Sequence, residues 1–164
     1  MGVLAEYLRA EAEQLKKEKL RRGEILQEWL DALNDLYRQL QEWLTVCDPE
    51  NLIDRTIEKI PGEELAFGDY QVPVLKLALV DRIVRFLPMA RFVAATIRLP
   101  GQATPVRAQG GVQLRGLGMR TCYLFRAPGG KWFIQKEFEP LNVNGNDVVP
   151  LDAERFEAVV RESF

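Results

Sequence analysis

The sequence predicts an α+β fold, in which a long N-terminal helix precedes a curved antiparallel sheet or partly open barrel of about six or seven strands and a short C-terminal helix. Three observations carry that expectation. Residues 3–46 contain no proline and one glycine, Gly23, and their apolar side chains recur at helical spacing. Residues 64–138 break into short apolar runs divided by turn residues. The closing "PLDAERFEAVVRESF" returns to helical spacing behind an aspartate.

In the first segment Leu26, Leu30, Leu33, Tyr37, Leu40 and Leu44 step alternately by four and three, which is a heptad seam. Trp29, Leu36 and Trp43 form a second row beside it, widening the apolar face toward that of a helix in a bundle. Upstream, Leu4, Leu8, Ala12 and Leu15 make a thinner stripe, and "KKEKLRRG" (16–23) puts Lys16, Lys19 and Gly23 at seam positions. The helix is therefore either continuous or kinked near Gly23. Glu11, Glu13, Glu18, Glu24 and Glu28 surround the basic cluster, so it reads as a solvated face with i,i+4 pairs rather than a nucleic-acid tract. A continuous helix would be about 65 Å long and would overhang a domain of the remaining size. The nine seam and second-row residues, from Leu26 to Leu44, are accordingly expected to meet another helix, with a second copy of the chain as the best candidate and a dimer as the simplest assembly. Residues 1–47 are thus assigned to a coiled-coil-like oligomerisation region and 48–164 to a β domain.

"CDPE" (47–50) closes the helix. The next stretch, "NLIDRTIEKIPG" (51–62), suits helix or strand, and its β-branched content favours strand. The meander follows as "ELAFGDYQV", "PVLKLALV", "RIVRFL", "RFVAATIRL", "VRAQGGVQLR", "RTCYLFRA" and "KWFIQKEF". "FRAPGGKWF" (125–133) is the strongest hairpin signal, because Gly129 and Gly130 accept the positive φ angles of a tight turn. In the last segment Asp152 is the expected N-cap, and Phe156, Val159 and Val160 share a face.

Side-chain alternation then sorts the cations. Lys76, Arg98, Arg107, Arg115, Arg120, Arg126 and Lys131 fall opposite the apolar set of their own strands and are expected to form a basic face. Parity fails at Arg85, which shares a face with Ile83 and Leu87, and at Lys136. Residues 76–136 hold eleven Lys or Arg against one acid, Asp81, whereas residues 1–75 hold nine basic and sixteen acidic side chains and 137–164 hold two and seven. The formal net charge of −2 hides a basic sheet between acidic flanks. Three causes fit: pairing with the acidic elements of the same chain or its copies, a polyanion site in which Phe92 or Phe133 offers a stacking surface, or an acidic protein or small anion as partner.

The chemistry open to the chain is narrow. It contains no histidine, which removes Ser-His-Asp triads, Cys-His dyads and histidine zinc sites, and two cysteines cannot complete a structural zinc tetrahedron. Cys47 and Cys122 read as reduced thiols, with Cys122 a small core residue. "QGGVQLRGLG" (109–118) lacks the strand-to-helix setting of a phosphate loop and reads as bulges or bends. Asp48, Glu50, Asp54 and Glu58 sit at an element boundary and read as caps and solvated acids rather than a magnesium cluster. No catalytic residue, metal or cofactor is assigned. The N-terminus meets charge within six residues, no run suits a membrane span, and Glu6 breaks a myristoylation signal, so the expected location is the cytoplasm. The expected function is that of a non-catalytic interaction protein that self-associates through its N-terminal helix and presents a basic sheet face to a partner. The alternatives are a nucleic-acid-binding protein and, third, a histidine-free enzyme.

Overall fold

A computed structural model describes residues 2–116, 122–136, 141–142 and 145–164. Among these residues it is an α+β fold of α1 (Gly2–Cys47), nine strands, and α2 (Ala153–Ser163). The strands are β1 (Asp54–Glu64), β2 (Gly68–Leu79), β3 (Arg82–Ala90), β4 (Thr96–Arg98), β5 (Val106–Arg107), β6 (Gly111–Arg115), β7 (Cys122–Arg126), β8 (Trp132–Gln135) and β9 (Asn146–Pro150). Their order in the sheet is β1-β2-β3-β6-β7-β8-β9-β4-β5, antiparallel except for the parallel β4–β9 pair. Residues 51–62 resolve largely as strand, with Pro61 tolerated because β1 is an edge.

Helix α1 runs 46 residues without a break at Gly23. Its second half docks on the sheet. Trp29, Leu33, Leu36, Tyr37, Leu40 and Leu44 are buried in one core with Leu75, Leu77, Val84, Phe86, Val112, Leu114 and Leu124. Leu26, Leu30 and Trp43 lie half-buried along the same contact. Eight of the nine residues expected at an interface between copies are therefore covered by their own sheet or sit at its margin, and Leu26 stands where the helix leaves the sheet. The heptad spacing reports a helix on a sheet, whose flat apolar surface accepts the same wide stripe as a second helix. The boundary at residue 47 separates two kinds of secondary structure but not two cores. Helix α2 closes the layer: Asp152 accepts the Arg155 N–H at 2.8 Å as N-cap, and the Phe156 ring lies 5.8 Å from Trp43 and 6.2 Å from Phe86.

The sheet has a second core on its other side. Val93, Ala95, Ile97, Ala108, Tyr123, Phe125, Ala127, Phe133 and Val148 cluster there. Three residues, 108–110, separate β5 from β6, and they carry the ladder around. The Ala108 N–H donates to Ala95, Gln109 N–H to Arg126, and Arg126 N–H to Gly110. Residues 108–110 thereby tie the far end of the sheet to β7 in its middle, while the strand order itself stays that of an open sheet. Strands outnumber the expectation for two reasons. The run "VRAQGGVQLR" serves two ladders, broken at Gly110 with φ +136°, and the short "NDVVP", outside the expected runs, becomes β9 by pairing with both β8 and β4. Because β7 and β8 bury both faces, Phe133, expected to offer a stacking surface, is buried, and so is Gln135. The Gln135 side chain accepts the Tyr123 N–H at 3.1 Å.

Candidate functional site

The most prominent unsatisfied surface belongs to the first half of α1. Leu4, Leu8 and Leu15 lie at intervals of 4 and 7 residues, and Leu26 follows 11 residues later, so all return to one helical face. That is the face which, from Trp29 onward, is packed on the sheet. Beyond the sheet margin nothing among the described residues covers it: Leu4, Leu8 and Leu15 are exposed, with Val3 and Tyr7 beside them. Where the helix departs, a groove of about 440 Å³ is lined by Lys19, Arg22, Gly23, Leu26 and the β1–β2 turn residues Leu65 and Phe67. Leu65 is fully exposed at its lip, and Phe67 is braced by Tyr70 and Phe92, with ring centroids 5.9 and 5.6 Å away. A leucine without a contact, next to a braced aromatic, makes the lip of the groove apolar while Lys19 and Arg22 make its upper rim cationic.

The cations expected on one basic face divide among several. Lys76 pairs with Arg85 across β2–β3, and Arg85 with Arg115 across β3–β6, so the three form a row on the sheet face opposite α1. Arg85, unassigned by strand parity, is the middle of that row, and nothing short of the strand register reveals it. Glu58 serves two of the three, at 3.4 Å from Lys76 and 3.7 Å from Arg85. Arg98 pairs with Asp147 at 2.6 Å, and Arg107 lies exposed on β5. Arg126 turns to the helical side and meets Glu28 of α1 at 3.1 Å, although its buried Nε has no partner among the described residues. Lys131 rests over the Phe133 ring at 5.7 Å, and Arg120 lies outside the described residues. Four expected or neighbouring cations thus meet acids from the acidic flanks, Glu28, Glu58 and Asp147. Of the two proposed stacking rings, Phe92 is half exposed, under Arg91 at 5.1 Å, and Phe133 is buried.

The remaining candidates resolve into structural roles. Asp48 accepts the N–H groups of Leu52 and Ile53 at 2.9 and 2.8 Å, which hold its carboxyl below the usual range and fasten the turn after α1. Cys122 is buried and its thiol is pushed up to about 12 by desolvation, while Cys47 is exposed. Among the described residues no group of His, Cys, Asp and Glu is placed to hold a metal ion, and no helix is long and apolar enough to cross a membrane. A second groove, about 420 Å³, lies between α1 and the β7–β8 hairpin with Trp43 and Trp132 in its wall and the Asp35–Arg38 pair on its rim. Comparison of the chain with protein-family models, with curated proteins and with solved structures gives no match.

Proposed function

We propose that this is a non-catalytic interaction protein, which self-associates through the overhanging half of α1 and presents the Lys76–Arg85–Arg115 row to an anionic partner. The observation that carries the reading is the uncovered stripe of Leu4, Leu8 and Leu15 in line with the packed face of the same helix. An isolated helix of this length gains little from its own hydrogen bonds, and most helical stability in water comes from covering an apolar face. A second copy of the chain supplies a face of matching length. Sedimentation velocity tests it. The wild-type chain should sediment above the 18.8 kDa monomer at micromolar concentration, and Leu8→Lys with Leu15→Lys should return it to monomer with an unchanged near-ultraviolet spectrum. A wild-type monomer throughout that range sinks the proposal.

The nucleic-acid reading keeps one specific support. Like charges directly opposite on neighbouring strands are unfavourable, yet Lys76, Arg85 and Arg115 stand in consecutive register with one carboxylate, Glu58, paired to them among the described residues. Phosphates would relieve that repulsion. Retardation of random-sequence DNA or RNA at low salt, lost in Arg85→Glu with Arg115→Glu, supports it. No retardation at low salt removes it and leaves an acidic protein surface as the partner class.

A further inference from the structure

Resting on the self-association reading, we propose that two copies pair antiparallel along residues 4–26, with Leu15 on the two-fold axis and Leu4 of each copy seated in the groove beneath Leu26 of the other.

The direction follows from the continuity of α1. From Trp29 to Leu44 the apolar face of the helix is occupied by its own sheet. A parallel partner pairing on that face would extend unbroken through its own Cys47 and run into this sheet at residue 26, since α1 has no bend that would turn it away. An antiparallel partner enters from the opposite end. Its packed half and its sheet then lie beyond the first copy's N-terminus, and its residues 4–26 continue the layer that the sheet provides elsewhere along the helix.

Charge selects the same direction. Residues 2–14 carry Glu6, Glu11 and Glu13 against Arg9, whereas residues 16–22 carry Lys16, Lys17, Lys19, Arg21 and Arg22 against Glu18. Antiparallel alignment lays each acidic end on a basic one, whereas parallel alignment stacks like on like. The register that uses the whole stripe places Leu15 opposite Leu15, Glu11 level with Lys19, and Leu4 opposite Leu26. That overlap is about 33 Å long at 1.5 Å per residue. The exposed Leu65 and the braced Phe67 receive Val3 and Leu4, which gives the cationic-rimmed groove an apolar occupant.

Cysteine cross-linking decides the direction. In a Cys47→Ser background, whose remaining Cys122 is buried, the variants Leu8→Cys and Arg22→Cys are prepared separately. Antiparallel pairing places Leu8 opposite Arg22 but leaves two copies of residue 8 about 21 Å apart, far beyond disulfide reach. Mild oxidation of the mixed, equilibrated variants should give a covalent dimer, and neither variant alone should do so. A Leu8→Cys homodisulfide, or a dimer by sedimentation without any cross-link from the mixture, overturns the antiparallel arrangement while leaving self-association standing. A monomer by sedimentation removes the reading beneath it.

Discussion

Two residues hold conformations or environments that carry a measurable cost. Val80, in the two-residue turn between Leu79 and Arg82, has φ +58°, a left-handed conformation that a β-branched side chain rarely adopts. Its side chain is exposed and contributes no burial in return. Val80→Asn should therefore raise unfolding stability by about 1 kcal/mol, read as a higher denaturant midpoint at unchanged slope. Cys122 works through protons. Burial raises its pKa to about 12, so its neutral thiol is favoured in the folded chain, with an ordinary thiol pKa near 8.5 when unfolded. The resulting stability is complete below the unfolded value and declines as pH rises toward the folded one. The stability gap between wild type and Cys122→Ala should accordingly narrow from pH 8 to pH 11. A constant gap would place the thiol in contact with water. Neither effect was legible in the sequence: "LVDR" carries no glycine or asparagine to mark a left-handed turn, although "RTCYLFR" did mark Cys122 as core.

At the scale of elements, the docking of α1 depends on one hydroxyl and one glycine. Tyr37 Oη donates to the Pro73 carbonyl at 2.8 Å and lies 3.2 Å from that of Phe86, at the point where β2 and β3 part and the β2–β3 ladder ends at Leu75–Phe86. Tyr37→Phe leaves both carbonyls buried with one partner fewer and should cost about 1–3 kcal/mol, measured by chemical denaturation. Gly110 plays the complementary part, since a built Cβ there would stand 2.2 Å from the Trp29 ring. Sequence periodicity found both helices, the Asp152 cap and the Gly129–Gly130 turn, because each is fixed by local chemistry. It assigned the cover of the Leu26–Leu44 face to another copy, because a stripe shows that a face is buried without showing by what. Alternation likewise identifies an outward face where one side of a sheet is wet, and β7 and β8 have no wet side.

Across the whole molecule, the segregation of charge read from composition becomes a set of specific pairings between sheet and flanks, Arg126 with Glu28, Arg98 with Asp147, and Lys76 and Arg85 with Glu58. Exposed pairs of this kind contribute little individually. Glu58 differs because it alone among the described residues pairs with two cations, Lys76 and Arg85, of a three-cation row. Glu58→Gln should lower the melting temperature by a few degrees in dilute buffer, with most of the loss recovered at about 0.5 M salt as the repulsion is screened. A salt-independent loss would mean that Glu58 acts through packing. The continuity of α1 also has a kinetic consequence. The stripe that is free from Leu4 to Leu15 and the stripe that is covered from Trp29 to Leu44 are one surface, so any opening that lifts the helix from its sheet lengthens the sticky strip from about 17 Å to about 60 Å. Refolding at high concentration would then be a race between intramolecular docking and capture by a neighbour, and a captured helix leaves a bare sheet that recruits the next chain.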